Sequence, residues 1–432
     1  MHDQHVVLVK PPEISRLNFG TFSLGVLAAA IRPMARVTLI DATTLTIPEA
    51  VARVAALSPD LVGLTAMGYR SIPPVAEFIR LFKERGTEAS ILAGGHGASM
   101  SPELILDAGA DGVVLGEGES TFQEILNRGI QPGIPGTLVR VNGETIQGPP
   151  RPLIFPLDNL DFPDRELMPP ALDGVYLMET SRGCPHDCQF CETTRFYGRR
   201  WRPKSADRVI REVQDLIHRH DAWIIHFADD NFSASTERVK EICEKLKDQA
   251  LPAFFMVSAR ADDLFKDPEL LPRMAEARIL RVSVGIETLD PDTAGAVGKT
   301  ITMDVYQHVF NRMRELGIFS IASLIVGLPG ETPEARSGAV ELCVQACPDS
   351  AHFLPFLPQP GIPLSQNRTS FDTDPRDARD ADRFNFEFFN HPRIKQNLET
   401  LARKDDIQGM LARAALANPL HHSAPEGSLD LI

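Results

Sequence analysis

The sequence predicts an α/β protein with two parallel sheets in series, followed by a short, mainly helical tail. Short apolar runs alternate with helical stretches over residues 1–130 and again over residues 175–364. Such alternation is typical of parallel strands joined by crossover helices. Between the two series, residues 131–174 are rich in proline and glycine and lack a helical or strand period. We therefore predict a doubly wound domain over 1–130, a linker over 131–174, a partial barrel over 175–364 and a tail over 365–432.

The first domain is predicted to be Rossmann-like, with five strands that alternate with helices. The strands are the apolar runs HVVLVK, ARVTLIDA, DLVGLTAM, EASILAGG and ADGVVLGE. The intervening helices include IPPVAEFIRLFKERG, which has proline in its first turn, and STFQEILNRG, which begins with hydroxyl residues able to cap it. Ligands of doubly wound sheets bind beyond the carboxyl ends of the strands. Those ends carry Pro12, Thr65, the run Gly94-Gly95-His96 and the run Gly116-Glu117-Gly118-Glu119.

The linker and the second domain follow. Asn142-Gly143 predicts a small hairpin within the linker. Six strand–helix units come next, with the strands in GVYLMETSRG, WIIHFADDNF, AFFMVSARAD, LRVSVGIETL, FSIASLIVGLPGE and SAHFLPFLPQPG. Six units favour a partial (β/α)6 barrel of TIM type over a closed eight-stranded one, and polar residues cluster where each strand should end.

Composition excludes several function classes. The 432 residues carry a formal net charge of −14 without an acidic block, which disfavours nucleic-acid binding by phosphate neutralisation. No apolar run is long enough to span a bilayer, and the N-terminus shows no export pattern. We therefore expect a cytoplasmic protein with reduced thiols. The basic cluster that follows the cysteine-rich segment is expected to contact a ligand; it comprises Arg195, Arg199, Arg200, Arg202 and Lys204.

Three of the six cysteines, Cys184, Cys188 and Cys191, lie within eight residues in SRGCPHDCQFCETT. A structural zinc site requires four ligands, and Cys343 and Cys347 are far away in the sequence. Three thiolates suit a 4Fe–4S cluster whose fourth iron stays open for an exogenous ligand. The alternative, three buried structural thiols, is disfavoured because dense clustering in a Gly-Cys-Pro loop does not serve a core. We interpret Cys243, Cys343 and Cys347 as ordinary buried thiols.

The Cys-x3-Cys-x2-Cys spacing, with Phe190 before the third cysteine and a strand before the loop, resembles the radical S-adenosylmethionine (SAM) superfamily. The motifs FADDNF, SARAD, GIET, LIVGLPGE and PFLPQPGIPL follow in that family's order. The resemblance implies that Cys184, Cys188 and Cys191 hold the cluster. It also implies that SAM contacts Phe190, Asp229, Asp230, Asn231, Ser258, Arg260, Glu287, Gly327 and Glu331. An electron from the cluster would split SAM to a 5′-deoxyadenosyl radical, while the protein orients the cofactors and excludes water.

The first domain resembles the cobalamin-binding domain fused ahead of many radical enzymes, in LVKPPEISRLNFG, LAGGHGASM and ADGVVLGEGE. The resemblance implies a corrin site lined by Pro12, Thr65, Gly94, Gly95, His96, Gly116, Glu117 and Gly118. The Asp-x-His-x-x-Gly motif that supplies a lower cobalt ligand is absent, because Asp3-Gln4-His5 continues without the required glycine. We therefore expect cobalamin without a histidine beneath cobalt, and His96 making a hydrogen bond. A dinucleotide is a weaker alternative, since Gly-x-Gly-x-x-Gly is missing from the first unit, and a retained fold without cofactor is another.

The predicted function is cobalamin-dependent methylation of an unactivated carbon in a small molecule, with flavodoxin or ferredoxin as electron donor. The alternative is a non-methylating radical reaction, such as ring contraction, cyclisation or hydroxylation, with or without cobalamin. A non-catalytic carrier of metal or cobalamin and a zinc-bound binding module are the alternatives of a different class. Methylthio transfer is disfavoured because the first domain has no cysteine for a second cluster. Phe196, Tyr197 and Trp201, together with Arg199, Arg200 and Arg202, either contact an anionic or aromatic ligand or pack the loop.

Overall fold

The computed structural model describes residues 4–12, 19–169, 174–365 and 373–418. The first sheet contains β1 (His5–Lys10), β2 (Arg36–Asp41), β3 (Leu61–Thr65), β4 (Ser90–Gly94), β5 (Gly112–Val114), β6 (Thr137–Val141) and β7 (Glu144–Gln147). Its strand order is β2-β1-β3-β4-β5-β6-β7. The first five strands pair in parallel, as predicted.

Helices cover both faces of this sheet. They are α1 (Phe19–Ile31), α2 (Ile47–Ala55), α3 (Ile72–Glu84), α4 (His96–Met100), α5 (Pro102–Asp107) and α6 (Glu119–Arg128). Along β1, Val6 and Leu8 pack with α1 and α6, whereas Val7 and Val9 pack with α2, α3 and α5. Successive side chains of a strand point to opposite faces, so β1 is buried along its whole length. The first domain is therefore doubly wound.

Residues 137–147, which the prediction assigned to the linker as a small hairpin, belong to the first sheet. The Asn142-Gly143 turn does join two antiparallel strands, but β6 also pairs antiparallel with β5. The hairpin thus extends the first sheet. Without β6, β5 would be an edge strand with unpaired backbone N–H and C=O groups. Pairing with β6 satisfies these groups.

The second series begins with β8 (Val175–Met178), followed by the short antiparallel pair β9 (Ser181–Arg182) and β10 (Arg202–Pro203). The remaining strands are β11 (Ile224–Phe227), β12 (Phe254–Ala259), β13 (Ile279–Glu287), β14 (Phe319–Val326) and β15 (Ser350–Pro355). Six strands form one parallel sheet in the order β15-β14-β13-β12-β11-β8. Because β8 and β15 are its two edges, the barrel is open, as predicted.

The helices of this half are α7 (Glu192–Phe196), α8 (Ala206–His220), α9 (Thr236–Gln249), α10 (Ala261–Lys266), α11 (Leu270–Glu276), α12 (Pro291–Val297), α13 (Met303–Glu315) and α14 (Pro333–Ala346). Within the described part of the tail, α15 (Pro375–Asn390), α16 (Pro392–Ala402) and α17 (Ile407–Leu416) confirm the predicted helical character. No helix in the described ranges is both long and apolar enough to cross a bilayer.

The tail covers the open edge of the barrel, a role that the sequence did not predict. Asn385 on α15 accepts a hydrogen bond from the Phe353 N–H at 2.9 Å and donates one to the Phe353 carbonyl at 3.0 Å. Phe384 and Phe388 pack against the Phe353 ring. The side-chain amide thus replaces a neighbouring strand at the edge strand β15.

Candidate active site between the two sheets

The carboxyl ends of strands from both sheets border a cavity of about 470 Å³. Ten predicted site residues line it: Thr65, Gly94, Gly95, His96, Gly116, Glu117, Gly118, Asp229, Asp230 and Ser258. The first seven come from the predicted corrin site and the last three from the predicted SAM site. The two sets, which the sequence could not connect, therefore share one cavity. The other predicted site residues do not line it: Pro12, Cys184, Cys188, Phe190, Cys191, Asn231, Arg260, Glu287, Gly327 and Glu331.

The three clustered cysteines are free thiols in one loop, with Cys184 and Cys188 buried and Cys191 partly buried. Burial raises the pKa of Cys184 to about 11, and the nearby Cys191 and Asp230 add to the effect. Thiolates at this place therefore require a compensating cation. One cation is already present, because Arg260 Nη1 lies 3.7 Å from Cys188 Sγ.

This donor set fits an iron–sulfur cluster. Among the residues that the structure describes, no three His, Cys, Asp or Glu side chains are arranged to hold a single metal ion. Protein ligands of a cluster bind different irons and lie farther apart than ligands of one ion. Three free thiols on one loop, two of them buried and one partly buried, are compatible with such a cluster.

Gly183 shapes the cluster loop. Its φ is +82°, and a Cβ there would lie 2.1 Å from the Arg200 carbonyl oxygen, so no other residue fits. The Gly183 N–H donates to Asp230 at 2.9 Å, and the Thr193 hydroxyl donates to the same carboxylate at 2.9 Å. Asp230 therefore holds both ends of the loop. Burial raises the pKa of Asp230 to about 6.

Asp229 has a different environment from its neighbour. Its carboxylate accepts hydrogen bonds from the Thr180 N–H at 2.6 Å and from the Ser181 hydroxyl at 2.6 Å. These bonds tie the end of β11 to the segment that leads from β8 into the cluster loop. Asn231, also buried, accepts a hydrogen bond from the Ser233 N–H and so stabilises the next turn.

The remaining predicted SAM residues, apart from Phe190 in the cluster loop, lie at or just beyond the ends of β12, β13 and β14 and have local partners. Glu287 has φ of +67° and accepts a hydrogen bond from Lys299 Nζ at 3.0 Å. Glu331 accepts hydrogen bonds from the Gly327 N–H at 3.0 Å and from Arg336 at 2.9 Å. Phe190 packs in a small apolar cluster with Val297, Leu328, Phe356 and Leu364.

The glycines of the first domain act in two ways. Gly95 has φ of +103°, and a Cβ there would lie 2.6 Å from the Ala66 carbonyl oxygen; a Cβ on Gly97 would lie 2.2 Å from the Gly68 carbonyl oxygen. These glycines let the loops after β3 and β4 approach each other. Gly116 differs, since its φ is +75° and a Cβ would meet nothing within 4 Å. It leaves free space on the cavity wall.

His96 joins the two domains. Its ring stacks on Phe196 with a centroid distance of 3.9 Å, and Nδ1 lies 3.9 Å from a Glu192 oxygen. Burial, together with the charge of Arg182, lowers the pKa of His96 to about 4, so the ring is neutral at physiological pH. Phe196 and Tyr197 contact each other edge to face in the cluster loop. Both residues also line the cavity.

A buried ion-pair network at this junction was missed by sequence reasoning. Arg182, directly before Gly183, pairs with Glu117 at 2.7 Å, Glu119 at 2.8 Å and Glu179 at 2.9 Å. Arg202 also pairs with Glu117, at 2.9 Å. Although burial opposes it, the pKa of Glu117 is lowered by these two arginines. The Glu117 carboxylate, predicted to serve the corrin site, is therefore engaged by the second domain.

Most of the basic cluster pairs with carboxylates of the chain, and its contact with a ligand stays a prediction. Besides Arg202, Arg195 and Arg199 pair with Asp187 at 3.2 and 3.4 Å, and Lys204 pairs with Glu212 at 3.0 Å. The partners of Arg182 and Arg202 on the first domain lie 65 and 85 residues earlier in the chain. No spacing rule in the sequence indicates contacts of that range.

Comparison with known proteins identifies the family. The model of the radical SAM superfamily matches residues 178–343, and the model of the B12 binding domain matches residues 17–126. An uncharacterized methyltransferase of Pyrococcus horikoshii, PH0819, is 30% identical over 83% of this chain and 82% of that protein. The chain belongs to the radical SAM superfamily, in the group that carries a B12-binding domain. It is a cobalamin-dependent radical SAM enzyme, and its cofactors are a 4Fe–4S cluster, SAM and cobalamin. Membership favours these assignments over the zinc module and the non-catalytic carrier.

Other relatives differ in activity and length. The anaerobic magnesium-protoporphyrin IX monomethyl ester cyclase of Rubrivivax gelatinosus is 27% identical over 76% of this chain, and the hopanoid C-3 methylase of Methylococcus capsulatus is 28% identical over 62%. The chain spans only 62% and 53% of these two proteins.

Solved structures share the fold. The radical SAM methyltransferase TsrM of Kitasatospora setae superposes with a TM-score of 0.71 at 22% identity, over 84% of this chain and 75% of TsrM. The cobalamin-dependent enzyme OxsB gives a TM-score of 0.64 at 21% identity, over 91% of this chain and 56% of OxsB. At these identities the likeness concerns the fold alone.

Proposed function

We propose that this enzyme methylates an unactivated carbon of a small molecule. The observation that carries the proposal is the single cavity bordered by the corrin loops of one domain and by Asp230 and Ser258 of the other. A substrate in a shared cavity is held next to both cofactors at once, which converts encounters between separate molecules into steps within one complex.

We infer a binding place for each cofactor from the residues of the cysteine loop and the cavity wall. Cys184, Cys188 and Cys191 would hold the cluster. The corrin would lie against the cavity wall at Gly116, where the absence of a side chain leaves space. The apolar side of the cavity, formed by residues of α1 and α6 that include Phe22, Leu24, Leu27 and Phe122, suits the bulky organic part of the same cofactor. When bound, the cluster and SAM supply a carbon-centred radical, and cobalamin supplies a methyl carrier.

We infer that the protein itself positions the cofactors and excludes water. Asp230 holds the cluster loop through Gly183 and Thr193. Arg182 joins the end of that loop to the Gly116–Glu119 loop of the first domain. Apolar side chains on the cavity wall keep water from quenching a reactive intermediate. SAM would contact Asp230 and Ser258 in the cavity and reach the ends of β13 and β14 near Glu287, Gly327 and Glu331. We expect a one-electron donor such as flavodoxin or ferredoxin.

Ring formation is the second candidate, favoured by the 27% identity to the cyclase of Rubrivivax gelatinosus. Methylation is preferred because the relative at 30% identity and the hopanoid C-3 relative both carry methyl-transfer names.

We propose the domain division 1–130, 131–174, 175–364 and 365–432, with the change that the hairpin of β6 and β7 belongs to the first sheet.

Isotope transfer tests the proposal. The enzyme is produced with cobalamin available, reconstituted anaerobically with iron and sulfide, and supplied with a reductant, methyl-labelled SAM and a fractionated small-molecule extract. A labelled small-molecule product, absent with the Cys184→Ala variant, supports methylation. Formation of 5′-deoxyadenosine and a new unlabelled cyclic product contradicts it and favours the cyclase alternative.

A further inference from the structure

Arg281 lies inside the barrel, where no function has so far been assigned. On β13, Val282, Val284 and Ile286 face the helices and belong to the main core. Because side chains alternate along a strand, Arg281 and Ser283 must face the opposite side, which is the barrel interior. The same reasoning places His226 on β11, Met256 on β12 and His352 on β15 inside, since their strand neighbours belong to that core.

This interior face is positively charged. Arg281 Nη1 donates a hydrogen bond to Met256 Sδ at 3.1 Å, and no carboxylate of the described residues lies within ion-pair distance of the guanidinium. Burial and the charge of Arg281 lower the pKa values of His226 and His352 to about 4. Both imidazoles are therefore neutral at physiological pH and add no positive charge to that of Arg281.

Arg281 is half-buried, and a cation that loses hydration without gaining a counter-ion destabilises a fold. Every other cationic side chain described above at the junction of the domains, such as Arg182, Arg202 and Lys204, has a carboxylate partner. Arg281 therefore differs from them, and a missing anionic ligand would explain the difference.

The location connects this group to the active site. His226, Met256 and Arg281 are register partners across β11, β12 and β13, so they form one row. His226, at one end of this row, lines the main cavity together with Ser258, so the row borders the cavity at His226. Glu287, the SAM candidate on the same strand, is six residues farther along, or about 20 Å in an extended strand. The row thus lies apart from the predicted SAM contacts.

We infer that Arg281, on the same interior face as His226 and His352, binds an oxyanion group of the substrate next to the main cavity. The group is a carboxylate or a phosphoryl-type anion, since the planar guanidinium fork can donate two parallel hydrogen bonds to either. This inference rests on the proposed function in taking the cavity as the substrate site. It adds that the substrate is anionic and enters with its charged end towards the barrel interior.

Anion binding to the complete enzyme tests the inference without turnover. Inorganic phosphate and, separately, acetate are titrated calorimetrically at constant ionic strength into anaerobic enzyme loaded with cluster, cobalamin and SAM. We expect one anion per chain, with affinity reduced about tenfold or more in Arg281→Met, as for loss of hydrogen bonds to a charged group. The matched control is Arg211→Met on α8, where the arginine is exposed and the affinity should not change. Iron content and the corrin absorption band report whether each variant is loaded.

The outcomes are distinct. Tighter binding of phosphate identifies a phosphoryl-type substrate, tighter binding of acetate identifies a carboxylate, and equal binding of both supports a general oxyanion site. Should Arg281→Met fail to load its cofactors, Arg281→Lys replaces it; this variant keeps the charge but loses the fork, so intermediate affinity is expected. The inference is overturned if neither anion binds the wild type saturably, if the Arg281 variant binds as well as the wild type, or if Arg211→Met loses as much. Failure of the methylation proposal would instead appear as unlabelled product with anion binding intact.

Discussion

Replacing Arg182 with methionine tests whether buried charge holds the two domains in register. Arg182 neutralises three carboxylates, those of Glu117, Glu119 and Glu179, and its side chain is only 7% exposed. Removing one partner of a buried ion pair leaves the other charge uncompensated, which costs about 3–5 kcal/mol. Methionine keeps the approximate length and removes the charge. We therefore expect Arg182→Met to lower the unfolding free energy by about 3–5 kcal/mol at pH 7.

The assay is anaerobic urea unfolding followed by circular dichroism, at several pH values. In the wild type the pKa of Glu117 is lowered although burial opposes this, so its ion pairs stabilise the fold above the ordinary glutamate pKa. That contribution is lost as pH falls through the lowered value. In the variant, protonation of the carboxylates can remove their uncompensated negative charge. The difference between wild type and variant should therefore be largest near neutral pH and shrink towards pH values of about 4.

Two further variants test whether the loss is specific to the buried network of Arg182. Arg219→Met removes an arginine that is 61% exposed and pairs with Glu166 and Asp215, so it should cost less than about 1 kcal/mol. The double variant Arg182→Met/Glu117→Gln should lose less than the sum of the single losses, because the two side chains act as one pair. Equal losses in the Arg182 and Arg219 variants, or strict additivity in the double variant, would refute a coupling role for the network.

Three other perturbations address the cluster loop and the tail. Gly183→Ala should abolish iron loading, because the new Cβ would lie 2.1 Å from a backbone carbonyl oxygen. The control is Gly198→Ala, whose Cβ would meet nothing within 4 Å. The control should load more iron than Gly183→Ala. Cys188→Ala should lose the cluster absorption and SAM cleavage, while Cys243→Ala, in the barrel core, should keep both; normal cleavage by the first variant would contradict the cluster assignment. Asn385→Ala should lower the unfolding free energy by about 1–3 kcal/mol, since it leaves backbone groups of the edge strand unpaired, and an unchanged urea midpoint would show that water replaces the side chain.

The cluster loop illustrates how much local sequence can predict. The thiol spacing, Gly183 and the strand before them all lie between residues 175 and 191, so their chemistry depends little on the rest of the chain. The glycine runs after β4 and β5 were likewise placed correctly at strand ends. Their functions differ, because Gly95 allows close approach of the loop after β3, whereas Gly116 leaves open space. His96 was predicted to make a backbone or ligand hydrogen bond rather than to bind cobalt, which stays a prediction; the structure adds stacking of its ring on Phe196.

The sequence by itself determined the two parallel sheets, the open six-stranded barrel and the group of thiols, because hydrophobic period, turn residues and ligand spacing are local properties. Only the tertiary structure decided which charges meet. Glu117 turned towards Arg182 and Arg202, the hairpin of β6 joined the first sheet, and Asn385 covered β15. Each of these contacts satisfies a buried charge or an unpaired strand edge with a group distant in the chain. Such demands arise only once the sheets have been brought together, so no local pattern records them.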